Sequence, residues 1–420
     1  MIPLQKHTLS NGLRIVHSED KSTQMVALHL LYDVGARDED PNHTGFAHLF
    51  EHLMFGGSLH IPDYDHPLQN AAGENNAWTN NDCTNFYVTL PKENVETAFW
   101  LESDRMLSLS FQPSSLEVQR QVVIEEFKQR CLNQPYGDIS HLMRALCYRV
   151  HPYQWPTIGK TIAHIEQATM EEVKDFFFRF YAPNNAVLSI TGNISWSDAL
   201  AYAEKWFGPI EARQVPPRAL PQEPIQTAER RQVVHRDVPA DMLCIAFPMC
   251  GRLSPDFYVF DMLSDLLSNG QSSRLMQHLV REQKLFTSID AYIVGSNDPG
   301  LFQILGRVAP GVAIATAEQA VWRELEQLTV APPTPYELEK VKNKFESRQI
   351  FESLSYLQVG SQLALFELLG DAHWINQEVA HYRAVTLAQL QAVARSTFTR
   401  AHSNVLHYLS TPSPLSKPTK

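Results

Sequence analysis

The sequence lacks any uninterrupted apolar run of 18 or more residues, which excludes a helix that crosses a membrane. It also lacks an excess of positive charge, because 35 lysines and arginines face 46 aspartates and glutamates and give a net charge of −11. A surface of that sign repels nucleic acid and anionic membranes. We therefore expect neither nucleic acid nor a membrane among the partners of this protein.

Cysteine is scarce and follows no pattern. The five cysteines are scattered, odd in number and without a C-x-x-C pair, which excludes a disulfide framework and a cysteine-based zinc site. The first residues also lack the charged, apolar and small-residue layout of a secretory signal. These absences predict a cytoplasmic protein with reduced thiols, with a cleaved leader as the alternative.

The length of 420 residues is that of two domains rather than one. Five prolines fall within residues 209–224, and proline neither donates to a β-ladder nor fits inside a helix. We predict an N-terminal domain over 1–208, a proline-rich linker over 209–228 and a C-terminal domain over 229–410. Residues 411–420 are predicted to be a flexible tail.

The two sides of the linker resemble one another weakly. Four short segments recur in the same order at offsets between 213 and 222 residues, as when Arg14–His17 matches Gln232–His235. Such a series predicts a duplicated domain. Because strands precede helices in each half, we expect an α+β fold, each domain being a mostly antiparallel sheet packed with helices.

Hydrophobic periodicity predicts the elements around a candidate site. Met25–Tyr32 is predicted to be a strand, and Thr44–Phe55 a helix with Thr44 as its cap. Leu116–Arg130 is predicted to be a second helix, with Val122 in its core-facing stripe.

The first of these helices carries the pattern His48-Leu-Phe-Glu51-His52. Side chains four residues apart share one helical face, so two imidazoles can hold one ion there. Zinc accepts such nitrogen ligands, and a catalytic zinc site keeps one position open for water. Glu51 is then placed to act as the general base, while the metal lowers the pKa of the water to about 7.

The alternative for this pattern is a surface helix with salt-bridged histidines. The flanking residues are apolar, however, so most of the helix is expected to be buried. Burying two histidines and a carboxylate without a partner would cost several kcal/mol. A metal ion satisfies all three groups, and the metal site is the favoured interpretation.

Two histidines need a third protein ligand. The helix around residues 122–127 offers Glu125 and Glu126, each within a turn of the apolar stripe. An acid beside such a stripe is often a solvated edge residue, and periodicity alone does not decide which of the two points inward.

The segment Gly35–Glu39, followed by Gly45–Gly57, resembles the inverted zinc motif of the pitrilysin–insulinase metallopeptidases, the inverzincins. Asn76–Thr79 and Val122–Glu126 extend the similarity, which covers about residues 10–410. The two-domain length is similar to that of the mitochondrial-processing-peptidase-like branch. The resemblance implies one Zn²⁺ per chain and two homologous domains that form half of a peptidase chamber.

The resemblance also implies the third ligand, which in the family closes a V-x-x-x-E pattern. Carried over, this ligand is Glu126 and not Glu125. The family often has a glutamate seven residues before it, where this chain has Gln119.

The segment Asn75–Thr79 is compatible with an edge strand, which can capture an extended peptide through main-chain hydrogen bonds. The resemblance implies that Asn76 and Ala77 offer the pairing backbone and that Trp78 borders a substrate pocket. The alternative for Trp78 is plain core packing.

The C-terminal half lacks the ligands. In the family this half supplies an arginine and, seven residues later, a tyrosine that help to bind substrate. The matching positions here are Arg281 and Ser288, and a serine hydroxyl is too short to replace a phenol. We therefore expect a heterodimer with a homologous subunit that carries the Arg/Tyr pair, with a self-sufficient homodimer as the alternative.

Together these inferences predict a zinc-dependent endopeptidase subunit acting on extended or unfolded peptides. One alternative is a non-catalytic structural or assembly subunit of the same fold, although such members usually lose a ligand or the base. Another is a zinc-storage or metal-sensing protein, which would not need Glu51.

Overall fold

Two β-sheets organise the chain in the computed structural model, which describes residues 1–411. The strands of the first sheet are β1 (Gln5–Thr8), β2 (Arg14–Glu19), β3 (Met25–Tyr32), β4 (Glu74–Thr79), β5 (Thr84–Pro91) and β6 (Ala186–Gly192). Their spatial order is β1-β2-β6-β3-β5-β4, and all neighbours are antiparallel except β2 and β6. β4 is therefore an edge strand.

The second sheet repeats this arrangement. Its strands are β7 (Arg230–Arg236), β8 (Met242–Pro248), β9 (Phe286–Val294), β10 (Leu301–Val308) and β11 (Asn404–Ser410). The order β7-β11-β8-β10-β9 matches β2-β6-β3-β5-β4 strand for strand, including the single parallel pair. The predicted α+β fold of two similar, mostly antiparallel sheets is confirmed.

Helices cover the sheets. In chain order they are α1 (Phe46–Leu53), α2 (Asp65–Asn70), α3 (Val95–Leu107), α4 (Pro113–Phe127), α5 (Ile139–Cys147), α6 (Ile162–Glu166), α7 (Met170–Phe180), α8 (Trp196–Phe207), α9 (Asp256–Ser268), α10 (Ile314–Val330), α11 (Pro335–Glu352), α12 (Tyr356–Leu369), α13 (Glu378–Ala384) and α14 (Leu387–Thr397). Among residues 1–411, no helix combines the length and the apolar character needed to cross a bilayer.

The predicted strand Met25–Tyr32 is observed with the same bounds, as β3. A strand that is buried on both faces is recognisable as a continuous apolar run. Leu28 and Leu30 point into the main core of the first unit, together with α1, α3, α4, α7 and α8. Leu31 points to the opposite face, where it joins a second cluster.

The chain forms two compact units that are not simple halves of the sequence. The first unit consists of residues 1–128, 155–221 and 347–378, and the second of residues 129–154, 222–346 and 379–411. In the first unit, Leu363 of α12 shares a buried cluster with Val187 of β6. In the second, Met143 of α5 shares a buried cluster with Cys244 of β8. Each sheet is thus covered on one face by a helix from the opposite half of the sequence.

The proposed domains 1–208 and 229–410 describe the sequence repeat, and their boundaries stay a prediction. Between them, residues 211–229 form neither helix nor strand. Arg218 in this segment forms ion pairs with Asp33 and Asp38. Residues 412–420 of the predicted tail lie outside the described part of the chain.

The close crossing of α12 over β3 and β6 gives a test of this packing. A Cβ at Gly360 would lie 2.7 Å from Cδ2 of His29 and 2.7 Å from Oγ1 of Thr191, both of which are buried. We expect Gly360→Ala to lower the free energy of unfolding by about 1–3 kcal/mol, because overpacking forces these groups apart. The measurement is the midpoint of urea unfolding.

The matched control is Gln358→Ala, which changes an exposed position of the same helix. It should alter stability by less than about 0.5 kcal/mol. Equal midpoints for the two variants would contradict the close crossing.

Candidate metal centre

Helix α1 supplies three of the predicted site residues. His48, Glu51 and His52 lie on it, while Leu49 and Phe50 are buried in the core of the first unit. His48 and His52 are one turn apart, and their rings stand edge to face with centroids 4.8 Å apart. The helical spacing therefore directs both imidazoles to one side.

The beginning of this helix differs from the prediction. α1 starts at Phe46, and its N-cap is Gly45 in the left-handed region, with φ 92°. The predicted cap, Thr44, is wrong because its hydroxyl lies 2.8 Å from Nδ1 of His164 and accepts a hydrogen bond from the Lys160 amide. Glycine tolerates the left-handed conformation but has no side chain with which to cap the helix.

A carboxylate from α4 completes the cluster. Oε2 of Glu126 lies 3.3 Å from Nε2 of His52 and 3.7 Å from Nε2 of His48. Glu125 points elsewhere: its side chain is 58% exposed and pairs with Nζ of Lys128 at 2.6 Å. The geometry thus brings Glu126, and not Glu125, to the histidines.

The apolar stripe of α4 also differs in detail from the prediction. Val123, Ile124 and Phe127 are buried, whereas Val122 is 45% exposed. Val122 lies one turn before Glu126 and shares its helical face, which borders the partly open cluster. Gln119, two turns before Glu126, is half-buried.

The donor set fits a zinc ion. Two imidazole nitrogens and one carboxylate oxygen lie within 4.8 Å of one another, the one such group of three in the described part of the chain. Ligand atoms about 2.1 Å from a tetrahedral zinc are roughly 3.4 Å apart, close to the observed 3.3 and 3.7 Å. The three side chains are 10, 23 and 17% exposed, so a further small ligand could reach the centre.

Glu51 is held beside this cluster by a residue that sequence reasoning did not single out. Oγ1 of Thr79, at the end of β4, donates to Oε2 of Glu51 at 2.6 Å. Thr79 belongs to the segment predicted to be an edge strand. That prediction was the sequence signal from which Thr79 could have been found. The hydrogen bond ties the carboxylate of α1 to the edge of the sheet.

The edge strand β4 carries the other predicted site residues of the first unit. Asn76, Ala77 and Trp78 pair with successive residues of β5. The Ala77 amide donates to Oδ1 of Asn76 at 2.8 Å. Ala77 packs toward the core on the α1 side, whereas Trp78 packs into the cluster on the α12 side. The core-packing interpretation of Trp78 thus has direct support from its surroundings.

The chain beyond α1 is anchored by a buried ion pair. The Arg105 guanidinium donates to both carboxylate oxygens of Glu102, and both side chains are 1% exposed. The rings of Phe55 and Tyr64 lie 5.2 and 4.8 Å from the guanidinium carbon. Tyr64 also donates to Glu102 at 2.6 Å. The segment after α1 is therefore fixed to α3.

The corresponding positions of the second unit hold no such cluster. Asp265 of α9, which aligns with His52, forms an ion pair with Lys344 at 3.2 Å. Arg281 lies in the π-helical segment Met276–Glu282 and donates to Oε1 of Gln271. Ser288 is an exposed residue of β9.

Comparison with known proteins gives a consistent result. The family model for insulinase, peptidase family M16, matches residues 14–159, and the model for the peptidase M16 inactive domain matches residues 167–345. All residues of the candidate centre fall within the first match. The second match contains α9, whose described residues take part in no such cluster.

Two curated relatives and one solved structure illustrate the similarity. Zinc protease PqqE of Helicobacter pylori is 26% identical over 414 residues, which cover 96% of this chain and 93% of that protein. The probable mitochondrial-processing peptidase subunit beta of Schizosaccharomyces pombe is 26% identical over 388 residues, covering 86% and 80%. The crystal structure of a protease from Helicobacter pylori matches with a TM-score of 0.91 and 26% identity, over 97% of this chain and 100% of that one.

Proposed function

The chain belongs to the M16 family of insulinase- and pitrilysin-like zinc proteases, and we propose that it is itself a zinc-dependent endopeptidase acting on extended or unfolded peptides. The observation that carries this proposal is the meeting of His48, His52 and Glu126 beside Glu51. We propose that the first three residues hold one Zn²⁺ per chain. A zinc ion held by these residues would supply a bound water with a pKa of about 7 and a Lewis acid for the peptide carbonyl.

Glu51 acts as the general base in this proposal. Its carboxylate accepts the proton of the attacking water and returns it to the leaving amine. The hydroxyl of Thr79 donates to one oxygen of this carboxylate and fixes its direction. In this proposal the scissile bond would lie between Glu51 and the three ligand residues.

The edge strand β4 is the proposed substrate support. An extended peptide would add to it through main-chain hydrogen bonds, a mode that accepts many sequences. The Ala77 amide is one donor for this pairing, once the side chain of Asn76 releases it. A segment that adds to β4 as a strand must itself be extended, so the proposed substrates are extended or unfolded chains.

The roles of Trp78 and Arg281 in substrate binding stay proposals. Trp78 would contact those peptide side chains that point to the α12 face of the sheet. Arg281 carries a charge in the second unit and is exposed.

A non-catalytic assembly subunit is the second candidate. The match of residues 167–345 to the inactive domain model favours a non-catalytic role, but only for the second half of the chain. The first half retains both histidines, the glutamate ligand and the candidate base, which a purely structural subunit would not need. A zinc-storage protein would likewise have no use for Glu51 fixed by Thr79.

The base is tested by Glu51→Gln. The amide cannot take up the proton, so we expect cleavage of an unstructured reporter peptide to fall about 10²–10⁴-fold while one zinc per chain is retained. Metal content and cleavage are measured on the same preparation. A variant that cleaves at a near-normal rate would refute the role of Glu51.

The third ligand is tested by comparing Glu126→Gln with Glu125→Gln, which are chemically identical changes at adjacent positions. We expect Glu126→Gln to weaken zinc binding by more than the about 10–100-fold typical of an outer-shell change, and Glu125→Gln to leave it unchanged. Zinc affinity is measured by competition with a chelator. Equal affinities for the two variants would remove Glu126 from the ligand set.

The partner is tested with the purified chain alone. Arg281 keeps the arginine of the family's Arg/Tyr pair, whereas Ser288 stands in place of the tyrosine. We propose that a homologous subunit supplies the complete pair. The isolated chain should then cleave the reporter peptide poorly, and chelator should abolish the remaining activity. Robust turnover by a homodimer without any other chain would end the heterodimer proposal.

A further inference from the structure

Glu39 is a buried carboxylate next to the candidate centre that the proposed chemistry does not use. It lies between the short 3₁₀ turn Ala36–Asp38 and helix α1, and it is 6% exposed. A carboxylate in such a place must find donors, because burial without hydrogen bonds costs several kcal/mol. The groups that donate hydrogen bonds to Glu39 indicate its role.

Both carboxylate oxygens of Glu39 bind the beginning of α1. Oε2 accepts from the Gly45 amide at 2.9 Å, and Oε1 accepts from the Ala47 amide at 2.9 Å. The first amides of a helix have no partner within the helix, and the N-cap Gly45 has no side chain to offer. Glu39 therefore performs from a distance the capping that Thr44 was predicted to perform.

Glu39 is itself held in place. Nε1 of Trp155 donates to Oε2 of Glu39 at 2.9 Å and lies 3.0 Å from the carbonyl oxygen of Ala36. Burial raises the pKa of Glu39 to about 8, and the three hydrogen bonds to the carboxylate act against that rise. The positive end of the helix dipole also favours a negative charge at this point.

The position of the cap matters because α1 is short. It has eight residues, and Ala47, whose amide is bound by Glu39, immediately precedes His48. A shift or rotation at the N-terminus is thus carried directly to His48 and, one turn later, to His52. The imidazole nitrogens must meet Glu126 at 3.3–3.7 Å, which leaves little tolerance.

We propose that Glu39 is a positioning residue of the metal centre: by gripping the Gly45 and Ala47 amides, it sets the place of α1 at which His48 and His52 converge on Glu126. The hydrogen bonds of Glu39 reach the backbone of α1, so it acts on the ligands through the helix. The inference rests on the proposed metal-binding role of these three residues.

The test compares Glu39→Gln with the control Asp38→Asn. In Glu39→Gln, an amide nitrogen replaces one acceptor oxygen and faces a backbone N–H. Asp38 is the neighbouring buried carboxylate, but its hydrogen bonds come from the Gly35 amide and from Arg218 and not from an amide of α1. Both variants replace one buried carboxyl group by an amide of the same shape, so they differ in the contact to the helix.

Zinc affinity of the full chain is measured by chelator competition, and the visible absorption of the Co²⁺-substituted chain reports the ligand geometry. We expect Glu39→Gln to weaken zinc binding at least about 10-fold and to change the Co²⁺ spectrum. Asp38→Asn should keep the affinity within about twofold and leave the spectrum unchanged, even where urea unfolding shows that it is destabilised.

The inference is overturned if Glu39→Gln binds zinc as tightly as the unmodified chain, or if Asp38→Asn weakens binding equally. If Glu39→Gln does not fold, Trp155→Phe removes one donor to Glu39 and should give a smaller loss in the same two measurements. An unchanged affinity and spectrum in that variant would overturn the inference as well. If the unmodified chain binds no zinc, the proposed metal centre itself is refuted. The positioning role of Glu39 is refuted when the unmodified chain binds zinc and Glu39→Gln binds it equally well, so the two outcomes are distinguishable.

Discussion

Two imidazoles and a carboxylate meet on the inner side of α1 and α4, and much of the first unit serves to keep them there. Each of these groups is polar and mostly buried, so their convergence is unfavourable unless a cation or protons compensate them. The residues around α1 oppose any movement that would separate these three side chains. Glu39 and Trp155 hold one end of α1, while Arg105 and its aromatic neighbours hold the segment beyond the other end. Since a close-packed interior deforms little, the two helices cannot simply move apart.

The sequence predicted those parts of the site that depend on local periodicity. Strand β3 was located correctly because burial on both faces leaves a continuous apolar run, and the spacing of His48 and His52 placed them on one helical face. The order of the strands, with its repeat in the second sheet, agrees with the duplication inferred from short matches.

Other features depend on contacts between distant residues, and periodicity could not reveal them. Adjacent residues of a helix differ by about 100° in direction, so Glu125 and Glu126 both border the apolar stripe until the position of α4 is known. The cap of α1 was assigned to Thr44 by proximity, whereas the carboxylate that binds its amides lies six residues before Gly45. Its partner Trp155 is more than a hundred positions away.

Each unit contains segments from distant parts of the sequence, and this affects how the chain folds during synthesis. A nascent chain released only as far as residue 346 would expose the apolar face that Val16, Leu31 and Val187 form, since α12 emerges later. Residues 1–128 hold every ligand of the candidate centre, yet they cannot complete their own sheet or its covering layer. Packing of the first unit around the candidate centre is therefore completed during synthesis only after α12 has left the ribosome.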